Sequence, residues 1–197
     1  MRKKMKKQLI RSYIVIIISF ILLGTLLLAA TIMDAEAVDF KQAGYIGGPL
    51  LYIISIYLIY FMIKKDCFKE IKQYVADHPD ITMEDLEEDF SKAEAMGNRV
   101  WIGERWTFYI NDLSIPKVIE HGKIVWAYYY SEQHGKAHYR YIYTYDSNKV
   151  LIKIPTAQRP AKALKVYSEK FGILVGYSKE YRNLYEKDFE GFLSLRY

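Results

Sequence analysis

The chain has 197 residues, 51% of them apolar, with 19 tyrosines, one cysteine and a formal net charge of +5. The lone Cys67 excludes an intrachain disulfide. Residues 1–12 carry +6, residues 34–44 carry −2 and everything from Lys64 onward only +1, which excludes the basic stripe that supplies most nucleic-acid affinity.

The first twelve residues form a basic leader, Arg2, Lys3, Lys4, Lys6, Lys7 and Arg11 with no acid. Tyr13–Met33 and Tyr45–Ile63 follow as charge-free apolar runs of 21 and 19 residues. A helix crosses a bilayer core with about 20 residues at about 1.5 Å each. The pattern therefore predicts a transmembrane hairpin over residues 13–63, integral to the lipid bilayer. Lys and Arg near span ends favour the cytoplasmic side, and the loop at 34–44 is acidic. Both termini are expected in the cytoplasm at the plasma membrane, with residues 34–44 outside. Lys3, Lys4, Lys6, Lys7, Lys64 and Lys65 are the expected membrane-surface charges, each adding about 1 kcal/mol of attraction to an anionic leaflet. A cleaved signal peptide is the rival reading, although its apolar core is typically about 7–15 residues. Neither run holds a charged residue, so neither reads as an ion or proton path. Gly24 and Gly47-Gly48-Pro49 either let the helices approach closely or simply shape the hairpin. Cys67, just after the second run, suits a reducing compartment, as an acylation site or as a small apolar side chain.

Residues 64–97 read as a helical connector. Asp66–Ala76 continues helically, with Phe68, Ile71 and Val75 on one face. His78-Pro79-Asp80 breaks it, because proline disfavours the helical region for its predecessor. Thr82 offers an N-cap and Asp85 completes a capping box. Glu84, Asp85, Glu87, Glu88 and Asp89 crowd the first turns, where the helix dipole favours negative charge. They read as the solvated side of a capped helix rather than a metal trap or recognition face. Met83, Leu86, Phe90 and Ala93 form the opposite face, and Gly97 is the expected stop.

From residue 98 the chain turns to short strands rich in Val, Ile, Thr, Tyr and Trp: Arg99–Ile110, Leu113–Ile119, Lys123–Tyr130, His138–Tyr145 and Lys149–Ile154. Turn residues fall at Gly103-Glu104, Asn111-Asp112, His121-Gly122, His134-Gly135 and Ser147-Asn148. Ile124, Trp126, Tyr128 and Tyr130 alternate onto one face, and Tyr139, Tyr141, Tyr143 and Tyr145 onto one face of the next strand. Connections this short leave no room for crossover helices, so the neighbours are expected to be antiparallel. Ala161, Leu164, Tyr167 and Phe171 then mark a packing helix. Ser178 looks like the N-cap of a last helix bearing Tyr181, Leu184, Tyr185 and Phe189. The fold class is α+β: a two-helix membrane hairpin, the connector, and a sheet of about 5–7 strands with C-terminal helices over 98–197.

That order of strands and helix resembles a pleckstrin-homology-like domain. Ile115-Pro116-Lys117-Val118-Ile119 before Ile124-Val125-Trp126-Ala127-Tyr128 is similar to bacterial domains of this kind, as are Val150-Leu151-Ile152-Lys153-Ile154 and Val175-Gly176-Tyr177-Ser178. With its two apolar runs, the chain resembles an uncharacterised family of two-span bacterial membrane proteins carrying such a domain. The resemblance covers about residues 98–178 and brings no catalytic residues. Phosphoinositide-binding members place several Lys and Arg between their first two strands; here that hairpin offers Arg99 and Arg105 around Glu104. The resemblance therefore implies docking or oligomerisation rather than head-group binding.

Chemistry is sparse. Gly97 and Gly103 lack the Lys-Ser/Thr of a phosphate loop, and no G-x-S-x-G elbow occurs. His134 and His138 are four apart, but across a turn, where helical ligand spacing does not apply. No catalysis, metal or cofactor is expected. The tyrosines either pair across strands, where such contacts add roughly 0.2–1 kcal/mol each, or present Tyr139, Tyr141, Tyr143 and Tyr145 as an interaction face. The expected function is a membrane-anchored protein-interaction or scaffold module, with a protein partner or a second copy and no nucleic acid. The alternatives are an anionic-lipid surface sensor and an accessory subunit of a transport or secretion complex.

Overall fold

A computed structural model describes residues 1–32, 38–64, 66–156 and 159–195. Lys65 and the acids Asp34 and Glu36 lie outside the described residues. The chain divides into two compact units, Lys6–Asp66 and Met1–Met5 with Cys67–Tyr197.

The first unit is built on two long helices, α1 (Arg2–Ile32) and α2 (Val38–Lys64). α1 is long and apolar enough to cross a membrane over Arg2–Thr31, while the apolar stretch of α2, Tyr45–Phe61, is shorter. Length and composition of this kind suit a membrane anchor or a signal sequence alike. α2 starts at Val38, so Asp39 and Lys41 sit on a helix rather than in the loop that charge alone suggested. The two helices meet at glycines. A Cβ on Gly48 would come within 2.6 Å of the Leu28 side chain, and one on Gly24 within 3.3 Å of the Gly48 carbonyl. Beside that contact, Thr25 Oγ1 and Tyr52 OH are hydrogen-bonded at 2.8 Å. Leu22, Leu26, Ile46, Ile53 and Ile56 point outward, each 59–72% exposed. Apolar side chains this exposed have no aqueous partner.

The second unit opens with two short helices, α3 (Lys69–Asp77) and α4 (Met83–Lys92). Phe68, just before α3, and Ile71 on it are buried, as are Leu86 and Phe90 on α4. The Thr82–Asp85 capping box forms: Thr82 Oγ1 accepts from the Asp85 amide at 3.1 Å, and the Thr82 amide donates to Asp85 Oδ2 at 2.8 Å. α4 ends at Lys92, not at Gly97, because Glu94–Ala95 is drawn into a strand, β1.

Where the sequence suggests one sheet of about 5–7 strands, there are two four-stranded sheets. The first runs β1-β2-β3-β4 with β2 at Val100–Ile102, β3 at Trp106–Ile110 and β4 at Pro116–Glu120, all antiparallel. The second runs β7-β6-β5-β8, from β5 (Ile124–His134), β6 (Ala137–Asp146), β7 (Leu151–Pro155) and β8 (Leu174–Val175). β5, β6 and β7 are antiparallel, and β8 joins β5 in parallel after helix α5 (Pro160–Phe171) has provided the crossover. Gly135, at φ +60°, allows the tight turn between β5 and β6.

The main core lies on the inner face of the second sheet. Val100, Ile102 and Tyr109 of the first sheet meet Ile124, Ala127, Ile142 and Ile154 of the second, with Ala163 and Tyr167 of α5 beside them. Pro160 opens α5 at its first turn, where a missing N–H costs nothing. Gly172 ends it in the left-handed conformation at φ 62°. Two short helices close the chain: α6 (Lys179–Lys187), capped by Ser178, and α7 (Phe189–Ser194), capped by Asp188.

Candidate functional site

The second sheet is apolar on both faces, and the outer one carries the aromatic residues. A β-bulge is the reason. Ile124 pairs with Asp146 and Trp126 with Tyr145, leaving Val125 as an extra residue. An extra residue breaks period-two alternation. Ile124 therefore joins the inner core, while Trp126, Tyr128 and Tyr130 face outward beside Tyr145, Tyr143 and Tyr141. The sequence reading that put Ile124 on one face with Trp126 is corrected by this single inserted residue.

The four tyrosines singled out from the sequence do not share one environment. Tyr139 is 43% exposed, Tyr145 is half-buried, and Tyr141 and Tyr143 are 6% and 7% exposed. Tyr141 OH donates to Asp112 Oδ2 at 2.8 Å. Burial, reinforced by that carboxylate, pushes its hydroxyl up to about 12. Tyr143 OH donates to Glu132, and Lys153 reaches the same carboxylate at 2.5 Å. That shared carboxylate holds Lys153 above its ordinary value. Lys153 also lies over the rings of Tyr141 and Tyr143, 5.7 and 5.2 Å from their centroids. Neighbouring side chains, not a separate domain, cover these two rings.

Trp126 is the hub. It is 1% exposed, and its Nε1–H donates to the Gly176 carbonyl at 2.7 Å. Tyr145 stacks on it at 5.2 Å and Tyr177 at 6.2 Å, while Tyr185 and Phe192 close in from α6 and α7 at 5.6 and 5.7 Å. The stripe Tyr185, Phe189 and Phe192 thus clamps one end of the outer face. The other end stays open, leaving a cleft of about 990 Å³ between the sheet and α6. Trp126, Tyr128, Tyr143, Tyr177, Lys149 and Arg182 are among its lining residues. Burial raises the Tyr128 hydroxyl far above the ordinary tyrosine value, so it is a neutral donor at physiological pH. Arg182 pairs with Glu186 at 2.9 Å.

Of the expected membrane-surface residues, Lys3, Lys6 and Lys7 are exposed along α1. Lys4 lies over the Phe90 ring at 5.7 Å, next to an Arg2–Glu87 ion pair at 3.1 Å. Lys64 ends α2 over Tyr60 at 5.9 Å. In the β5–β6 register His138 pairs with Gln133 and His134 with Ala137. Among the described residues no group of three or more His, Cys, Asp or Glu is placed to hold a metal.

One acid escapes the sequence reading entirely. Asp89 is 6% exposed, not solvated. Its Oδ1 accepts from the Glu104 and Arg105 amides at 2.7 and 3.1 Å, and its Oδ2 from the Trp106 amide at 3.1 Å. It organises the β2–β3 turn, and helical position alone carried no signal of that.

A family described as a domain of unknown function, DUF6709, matches residues 65–185, more than half of the chain. The chain belongs to the DUF6709 family. The DUF6709 match takes in α3, α4 and both sheets and closes at Tyr185 within α6. The β5–β6 face lies inside it, and Phe192 of α7 lies beyond it. No curated protein and no solved structure matches the chain.

Proposed function

We propose that this protein is a non-catalytic, membrane-anchored interaction module that docks a protein partner on the outer face of its second sheet. In this reading α1 and α2 form a two-span hairpin in the plasma membrane, both termini are cytoplasmic, and the DUF6709 domain is PH-like. Three supports bear on location and fold. The leader and the residues after α2 are basic and the segment between the runs is acidic. The helix pair exposes apolar side chains around its outside. Strands β1–β4, then β5–β7, then one packing helix follow the PH-like order.

The observation that carries the docking assignment is the incomplete cover of the aromatic face. α6 and α7 clamp Trp126 and Tyr145, yet Tyr130, Tyr139 and Tyr177 remain 46%, 43% and 52% exposed on or beside the same sheet. Interface cores are enriched in tyrosine, which buries area at low entropic cost. Among the described residues, the β5–β6 hairpin also runs beyond β7, whose last backbone hydrogen bond to it is from the Thr156 amide to the Arg140 carbonyl, so residues 131–139 meet no third strand. Two-stranded ribbons are marginal alone; a partner stabilises this one. The test places a photocrosslinking residue at Tyr130 or Tyr139 in the full chain in native membranes, with Glu169 on α5 as the control. A defined protein adduct from the two tyrosine positions and not from Glu169 supports the reading. Equal or lipid-only adducts contradict it.

A lipid-surface role has one specific support, the exposed Lys3, Lys6 and Lys7 on α1. Salt-sensitive recruitment of anionic lipid around the full chain, lost on changing these three to Gln, favours that role.

A further inference from the structure

We propose that the cleft between the second sheet and α6 is a binding site for a small anionic molecule carrying a planar ring. The inference takes its face from the docking reading above, but its ligand is a small molecule rather than a protein. Ligand pockets run about 300–1,000 Å³, mostly aromatic or apolar, with a few placed polar groups. At about 990 Å³ this cleft lies in that range. Trp126, Tyr128, Tyr143 and Tyr185 line its floor and are 1%, 7%, 7% and 4% exposed.

The charge of the ligand follows from how the cations are held. Lys153 is neutralised by Glu132 at 2.5 Å and Arg182 by Glu186 at 2.9 Å. Lys149 has no carboxylate partner among the described residues. Its Nζ reaches only the Glu186 carbonyl at 3.4 Å and lies over the Tyr185 and Phe189 rings at 5.9 and 5.5 Å. The cleft therefore keeps one uncompensated positive charge. A cationic ligand is disfavoured, because it meets that uncompensated charge and competes with Lys149 and Lys153 for the Tyr185, Phe189, Tyr141 and Tyr143 rings. The Tyr128 and Tyr145 hydroxyls, hydrogen-bonded to each other at 3.3 Å, leave one O–H to donate to a ligand. For the ring, Tyr177 offers an exposed aromatic platform stacked over Trp126. A carboxylate or phosphate ester on a planar ring satisfies both halves at once.

The test titrates the full chain in neutral-lipid nanodiscs with phenyl phosphate, benzoate, inorganic phosphate and benzyltrimethylammonium, by calorimetry and saturation-transfer NMR. Empty nanodiscs provide the blank. Phenyl phosphate and benzoate are expected to bind saturably at one site, inorganic phosphate about tenfold more weakly, and the ammonium not at all. Lys149→Glu should weaken phenyl phosphate about tenfold or more, the scale of one charge-assisted hydrogen bond, in a chain that still melts cooperatively. Lys165→Glu on the exposed side of α5 should leave binding as it is. Absence of saturable binding by both ring anions, equal binding of the ammonium, or indifference to Lys149→Glu overturns the inference. If ring anions fail while the Tyr139 crosslink persists, the small-molecule site falls and the docking face stands.

Discussion

His121 is 4% exposed, in the short 3₁₀ turn His121–Lys123 between the sheets, with Nε2 at 2.9 Å from Thr107 Oγ1. The same Thr107 hydroxyl meets Tyr167 OH at 2.9 Å, so one buried threonine joins β3, the turn and α5. Burial lowers His121 from its ordinary 6.5 to about 4. The unfolded chain then takes up a proton first as pH falls, and the folded state loses ground. This contribution is fully present above pH 6.5 and declines towards pH 4. The two values differ by about 3 kcal/mol of linkage at roughly 1.4 kcal/mol per pH unit. Urea midpoints across pH 4–7 should show that loss, and His121→Gln should flatten it; an unchanged slope in the variant contradicts a neutral buried imidazole. Gly103 makes a second residue-scale prediction. A Cβ there would sit 2.1 Å from Asp89 Oδ2. Gly103→Ala must displace the carboxylate that accepts three amides, and should cost about 3 kcal/mol, the range for breaking a buried polar network. Chemical denaturation reads it directly.

At the scale of elements, the α6–α7 clamp and the Val125 bulge decide what the tyrosine face becomes. Phe192 is fully buried against Trp126 and Tyr185. Phe192→Ala should cost about 3–5 kcal/mol as a large-to-small core change and shift Trp126 fluorescence to the red as water enters. An unshifted spectrum would mean that α7 does not seal the hub. In the helix pair, Gly48→Val should push α1 from α2, lowering disulfide formation between cysteines placed at Thr25 and Tyr52. The elements themselves were largely readable. Periodicity and capping chemistry marked α4 at Thr82, α5 and the Ser178 cap, because those signals are local. The split into two sheets was not readable, since it depends on which strands hydrogen-bond across loops. Nor was the bulge: one inserted residue reverses the face of Ile124 without altering composition. Asp89 failed for the same reason, its role being set by a turn fifteen residues away.

At the scale of the whole molecule, the charge pattern and apolar runs give a consistent reading: a basic leader, two apolar helices, and a nearly neutral α+β unit belonging to the DUF6709 family. Replacing the α1–α2 apolar runs with unrelated apolar sequence should leave a partner of the sheet face attached. Loss of the partner on that swap would instead favour an accessory role for the helices. The candidate site was half legible. Alternating tyrosines on β6 announced an aromatic face, but the ring hub at Trp126 and the cleft depend on C-terminal helices returning to β5. The central claim is that the outer face of the second sheet docks a protein. The direct measurement is site-specific photocrosslinking from Tyr139 in native membranes, repeated with Tyr130→Ser. The account predicts one protein adduct from Tyr139, absent from the Glu169 control and diminished by Tyr130→Ser in a chain that melts normally. Adducts of equal strength from Glu169, or none from Tyr139, would contradict it.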